Sequence, residues 1–273
     1  MRSSFCGVVA AFVFAFMSTN ALALKPIKEY STTPDAQHLP YQNDTIVTKD
    51  KVHLKSWTLL PSNGHDNKIT LVLAYADAGN MSWWLQRGQV FAAKGYTVVL
   101  FDYRGFGGSD EFKIDPKMLY YNEFATDLEA AIRFAREKYK GNKTGVLCYS
   151  MGTIVTTLAA TKAKPDFIIG EGYVTDPVEI VANNAKKNKQ LGLPKGADKY
   201  KETLGKHGVK MLIFSGSEDP VTTDEKIQEL KKRKPGITVV NFKGGHMGGF
   251  DAMSQERTGS EYVKAINKFL GVN

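Results

Sequence analysis

From position 69 onward the apolar residues gather into short unbroken runs. They are ITLVLAY at 69–75, YTVVLFDY at 96–103, TGVLCY at 144–149, DFIIGEGY at 166–173, VKMLIFSG at 209–216 and ITVVNF at 237–242. Runs of this length without polar alternation are the pattern of strands buried on both faces. Amphipathic stretches at 81–95, 120–140, 152–163 and 223–234 separate them, and a last one at 260–271 closes the chain. Their spacing predicts helices. Strands alternating with helices predict an α/β fold: a mostly parallel central sheet with helices on both faces. The segment TIVTKDKVHLKSWTLL, 45–60, alternates instead and carries Lys49-Asp50-Lys51 at its middle. It predicts an antiparallel N-terminal hairpin added to one edge of the sheet.

Three stretches stand outside this rhythm. Residues 1–23 combine Arg2, a thirteen-residue apolar run from Phe5 to Met17, and Ala21-Leu22-Ala23. That is the layout of a secretory signal peptide cleaved after Ala23, and it predicts a secreted or periplasmic protein. The apolar run is short of the roughly 20 residues a membrane-spanning helix needs, so no stable membrane span is expected after cleavage. Residues 24–44 are polar, with Pro26, Pro34 and Pro40, and read as an arm lying on the domain at 45–273. Residues 174–207 are lysine-rich and weakly helical, either a short cap over the sheet's carboxyl edge or a longer connection.

Composition narrows the class. The chain has 273 residues, 42% hydrophobic and 23% charged, a balance typical of a globular domain. Cleavage would remove Cys6 and leave Cys148 alone, without an internal disulfide. The net charge of +8 owes much to eight lysines between Lys186 and Lys210. Such a run is a solvated face or an attraction to anionic groups. Arginines are sparse there and aromatics do not interleave, which argues against nucleic acid as a partner. The histidines and cysteines lack metal-binding spacing, so no metal is implied. The segment Gly105 to Asp110 begins like a dinucleotide fingerprint but lacks its last glycine, and no cofactor is implied either.

The candidate chemistry lies at strand ends, where open α/β sheets bind ligands. The run 144–149 stops at Tyr149-Ser150-Met151-Gly152, and a helical pattern follows at once. A tight strand-to-helix turn there would expose the Ser150 hydroxyl and aim the Met151 amide at a developing oxyanion. Position 148, a glycine in the usual G-x-S-x-G pattern, is cysteine. A serine nucleophile needs a base, and the base an orienting acid, in the order serine, acid, histidine on this topology. Asp219 follows the run at 209–216, and His246 lies in the glycine-rich GGHMGG at 244–249. Glu218 is the neighbouring rival for the acid, with Asp176 and Asp251 more distant. His38, His53, His65 and His207 are weaker candidates for the base. Asp102 also ends a strand but precedes the serine, and reads as the organiser of its own loop. Trp83 and Trp84 either line an acyl pocket or pack on the first helix.

These segments, taken in order with AYADAGNMSWW and FDYRGFGGSD, resemble the α/β-hydrolase superfamily across nearly all of the mature chain. The likeness is greatest to its compact, small-capped serine hydrolases of esterase or lipase type. The resemblance implies a serine hydrolase acting on a small-molecule acyl substrate, with Ser150, Asp219 and His246 as the triad. It makes Asp77 the second oxyanion donor after Met151, through its amide. Tyr75-Ala76 stands where the family commonly has His-Gly. An ester is the expected bond. An amide or thioester would use the same triad, and a non-catalytic binding protein could keep the same scaffold.

Overall fold

In a computed structural model, residues 22–272 are described apart from residue 63 and residues 255–258. The predicted signal peptide lies outside the described residues except for Leu22 and Ala23.

Among the described residues, eight strands form one sheet. They are β1 (Tyr41–Val47), β2 (His53–Leu59), β3 (Ile69–Ala74), β4 (Thr97–Phe101), β5 (Lys143–Tyr149), β6 (Phe167–Glu171), β7 (Lys210–Gly216) and β8 (Ile237–Phe242). Their spatial order is β8-β7-β6-β5-β3-β4-β2-β1. Strands β3 to β8 run parallel, and the β1–β2 hairpin joins antiparallel at one edge. Strands β3, β4 and β6 are buried at every position, which is why they read as unbroken apolar runs.

The helices are α1 (Leu85–Ala93), α2 (Asn122–Lys138), α3 (Met151–Ala163), α4 (Pro177–Ala185), α5 (Tyr200–Lys206), α6 (Asp224–Arg233), α7 (Gly249–Ala252) and α8 (Ser260–Leu270). They cover both faces of the sheet. From β3 the chain steps one way to β4, then back past β3 to β5 and onward the same way to β8. Right-handed crossovers therefore place α1 on one face and α2, α3 and α6 on the other. α8 joins α1, where the Tyr96 hydroxyl donates to Asn267 Oδ1 at 2.5 Å and Phe250 bridges the rings of Phe91 and Tyr262. α2 buries Phe124, Leu128, Ala131, Ile132 and Ala135, spaced three and four apart along one stripe, and leaves Arg136 and Lys138 in its last turn. α3 is buried nearly all round, being flanked by α2 and α5 as well as the sheet.

Within 174–207, α4 and α5 are the α-helices. The Tyr200 hydroxyl reaches Thr157 Oγ1 on α3 at 3.0 Å and Val174 O at 2.8 Å. Gly192 exchanges backbone hydrogen bonds with the 117–119 turn. The segment is thus anchored to α3 at one end and to the loop after β4 near its middle. The arm at 24–44 is equally well tied. Lys25–Pro26 pairs in parallel with Ala78–Gly79, and Asn80 Nδ2 donates to the carbonyls of Ile27 and Glu29. Asn80, one of three positions fitting a glycosylation pattern, is fully buried by those contacts and has no room for a glycan.

Candidate active site

The reversal in stepping direction makes a crevice. The loop after β3 leaves toward β4, and the loop after the adjacent β5 leaves the other way. Ligands of open α/β sheets bind at such switch points. Asp77 lies in the first loop and Ser150 in the second.

Ser150 connects β5 directly to α3 with φ 48° and ψ −116°. A non-glycine residue pays about 1–3 kcal/mol for such a conformation. The surroundings enforce it. The Ser150 amide donates to Glu171 O at 3.1 Å, and its carbonyl accepts from Thr153 N at 2.8 Å and Thr153 Oγ1 at 2.7 Å. Gly152 permits the close approach, because a Cβ there would run into the Ala74 carbonyl. Cys148 sits at the usual glycine position, opposite Gly170 on β6, and is fully buried. Its Sγ donates to Ile169 O at 3.3 Å, and full burial pushes the thiol up to about 12, so it stays a neutral packing group.

His246 and Asp219 meet this turn. Nε2 of His246 is 2.9 Å from Ser150 Oγ, and Nδ1 is 2.8 Å from Asp219 Oδ2. The Asp219 side chain is 3% exposed and that of His246 20%, so the acid is sealed and the ring is partly open to solvent. Asp219 also accepts from the amides of Val221 and Thr222 at 2.8 and 2.9 Å and from the Thr222 hydroxyl at 2.5 Å. Burial alone would raise this carboxyl. The bonds from His246 and Thr222 outweigh it and hold the group well below the usual carboxylate range.

The two amides differ. Met151 opens α3, so its amide has no partner within the helix and points from the positive end of the helix dipole. The Asp77 amide lies beside its own carboxylate, and Asp77 O accepts from Lys25 at 2.8 Å. Burial pushes that carboxyl up, against the pull of its own amide, His246 and Lys25.

The rivals sit elsewhere. Glu218 is exposed, Asp176 caps α4 and pairs with Lys201 at 2.6 Å, and Asp251 lies 3.9 Å from Arg87. His53 pairs with Asp110 and His65 with Asn67, while His207 is buried before β7. Asp102 does more than organise its own loop. It accepts from Tyr30 in the arm at 2.6 Å, from the Met81 amide at 2.8 Å and from the Gly108 amide at 3.1 Å. Tyr75 is buried and its hydroxyl reaches Asp102 Oδ1 at 3.4 Å. Trp84 is packing, its ring 4.5 Å from that of Tyr149, whereas Trp83 is 54% exposed. Both tryptophans, with Arg87 and Phe250, line a side cleft of about 350 Å³.

No motif marks Glu171, a fully buried acid ending β6 whose Oε1 accepts the Gly249 amide just past His246. The available signal is an acid closing an apolar strand, as at Asp102. Among the described residues, no acid, histidine or cysteine cluster is placed to hold a metal ion, and no helix is long and apolar enough to cross a membrane.

Comparison with known proteins agrees with this fold. Residues 77–175 match the family model of the S33 serine aminopeptidases. The protein bem46 of Schizosaccharomyces pombe is 28% identical over 137 residues, 49% of this chain and 44% of its own length. The protein YfhR of Salmonella typhi is 29% identical over 140 residues, 48% of this chain and 42% of its own length. An uncharacterised membrane protein of Saccharomyces cerevisiae is 27% identical over 84 residues, 30% of this chain and 28% of its length. The chain thus spans less than half of each of these curated relatives. An esterase of Pyrococcus furiosus superposes with a TM-score of 0.70 at 19% identity, over 90% of this chain and 98% of its own. An α/β serine hydrolase without a lid, from Xanthomonas campestris, superposes with a TM-score of 0.61 at 13% identity, over 85% of this chain and 94% of its own. At these identities the superpositions establish a common fold.

Proposed function

We propose that this chain, a member of the α/β-hydrolase superfamily, is a serine hydrolase that cleaves a carboxylic ester or related acyl bond. The observation that carries this reading is the continuous path from Ser150 Oγ through the His246 ring to Asp219, at 2.9 and 2.8 Å. Ser150 Oγ attacks the acyl carbon while Nε2 takes its proton. Asp219 stays ionised, holds the Nδ1–H tautomer and stabilises the imidazolium. The amides of Met151 and Asp77 receive the oxyanion. The tetrahedral species collapses, the leaving group departs with the proton from Nε2, and an acyl-serine remains. Water then attacks with His246 as base, releasing the acid and restoring Ser150.

A fluorophosphonate probe tests the nucleophile: labelling of the wild type and its loss in Ser150→Ala are expected. A folded wild type that resists the probe counts against an enzyme and for a binding protein on this scaffold. The aminopeptidase family model favours a second reading, hydrolysis of an amide by the same residues. Rates on matched acyl esters, thioesters and aminoacyl amides separate the two. The signal-like residues 1–23 support export to a secreted or periplasmic location, which N-terminal sequencing of the exported protein checks.

A further inference from the structure

Glu171 touches both halves of the site. As the last residue of β6 it lies opposite Tyr149 on β5, and its carbonyl accepts the Ser150 amide at 3.1 Å. Its side chain turns the other way, and Oε1 accepts the Gly249 amide at the start of α7, three residues beyond His246. The next residue, Gly172, has φ +60° and runs beneath the imidazole. A Cβ there would stand 2.7 Å from His246 Cε1, 3.1 Å from Nδ1 and 3.2 Å from Nε2. One dipeptide thus supports the serine turn, the histidine loop and the ring itself.

The carboxylate is also electrostatically placed. The charge of a protonated His246 is felt at the carboxyls of Asp219, Asp77 and Glu171, and in each case it favours the ionised carboxylate. Lys25 stands behind Asp77, and Arg87 and the Tyr262 hydroxyl stand behind Glu171. The Arg87 guanidinium is packed against the rings of Trp84, Tyr149 and Phe250, 4.9, 5.0 and 5.2 Å from their centroids. Glu171 Oε2, Arg87 Nη1 and the hydroxyls of Tyr149 and Tyr262 are buried without a hydrogen bond of ordinary geometry. Burial pushes the Glu171 carboxyl up, while the Gly249 amide and Arg87 pull it back. A buried ionisable group so incompletely bonded contributes little to stability compared with an apolar side chain of similar volume. Its value therefore lies in what it holds and in the charge it presents.

We propose that Glu171 is a positioning residue for the Ser150–His246 pair, its main chain fixing the serine turn and its carboxylate fixing the histidine loop while setting a second buried negative charge behind the imidazole. The inference rests on the hydrolase reading above. When His246 becomes imidazolium, Asp219 stabilises it directly and Glu171 through space.

The test is Glu171→Gln, which keeps an acceptor for the Gly249 amide and removes the charge. Its kcat is expected to fall about tenfold, the order of one charge acting through protein, with KM held. The acid limb of its kcat/KM profile should move to lower pH, and its thermal midpoint should stay level or rise. A merely structural role would move the thermal midpoint and leave the pH limb in place. Gly172→Ala, which crowds the ring without touching charge, is expected to cost about 10²-fold in kcat. Should Glu171→Ala fail to fold, the isosteric glutamine still decides the matter. Wild-type kcat and an unmoved acid limb in Glu171→Gln, with hydrolysis abolished in Ser150→Ala, overturn this inference alone. Hydrolysis that survives in Ser150→Ala overturns both.

Discussion

Two aspartates close strands on the same rim of the sheet, and they serve different ends. Asp102 follows β4 and is fully buried, its oxygens taken by the Tyr30 hydroxyl and the amides of Met81 and Gly108. Asp219 follows β7 and spends its oxygens on its own turn and on His246. Every group around Asp102 is a donor from another part of the chain: the arm, Tyr75 at the end of β3, the loop after β3 and the loop after β4. Asp219 has one partner that can change its protonation state, and that partner is partly open to solvent. Residue type and topological position are shared, so the role of each acid is set by what packs beside it. Asp102 ties loops together. Asp219 conditions a base.

Breaking each side of this comparison should give opposite signatures. The largest effect is expected at the atoms that react. Ser150→Ala and His246→Ala should each lower kcat by about 10⁵-fold or more, with an unchanged thermal midpoint, checked by steady-state kinetics beside melting curves. Asp219→Ala should cost about 10⁴-fold in kcat and only about 1 kcal/mol of stability, since water can reach parts of its turn. Asp102→Ala should reverse that balance. Four donors lose a buried acceptor, so denaturant unfolding should report a loss of about 3 kcal/mol. Activity lost more steeply in Asp102→Ala than in Asp219→Ala would mean the two acids have been assigned the wrong way round.

The same contrast applies to histidines. His246 has a partner on each ring nitrogen, whereas His207 is buried with both nitrogens unbonded. Burial, with Lys234 adding to it, pushes His207 down to about 4 from its ordinary 6.5. The unfolded chain therefore takes up this proton first as pH falls. The stability from the neutral ring is intact above pH 6.5 and drains away toward about 4. Melting curves across that window should show Tm falling with acidity, and His207→Phe should remove a few degrees of the fall. An equal fall in both proteins would assign the acid sensitivity to other groups. The smallest effect is expected at Asp77. Its proposed contribution is a backbone amide, so Asp77→Ala should hold kcat within about threefold. A much larger loss would show that the carboxylate itself takes part.

Much of this architecture is legible along the chain because its cause is local or periodic. Strands β3 to β7 appear as apolar runs since both faces are covered, whereas β8, at the sheet edge, is only partly buried, and β1 appears as alternation because one face is wet. Ser150, Asp219 and His246 each stand out where an apolar run or glycine-rich turn ends. Other features left no local mark. The parallel pairing of Lys25–Pro26 with Ala78–Gly79 joins segments too short to show a period. Glu171 resembles any acid at a strand end until α7 folds onto it.

The sequence by itself determined the alternation of strands and helices, the hairpin at the edge and the abrupt turn at Ser150, because burial pattern and backbone sterics act over a few residues. Tertiary structure alone decided which acids and histidines meet. Hydrogen bonds reach about 3 Å, and only the side-by-side pairing of β5, β6, β7 and β8 brings residues 150, 171, 219 and 246, at one rim, within that reach.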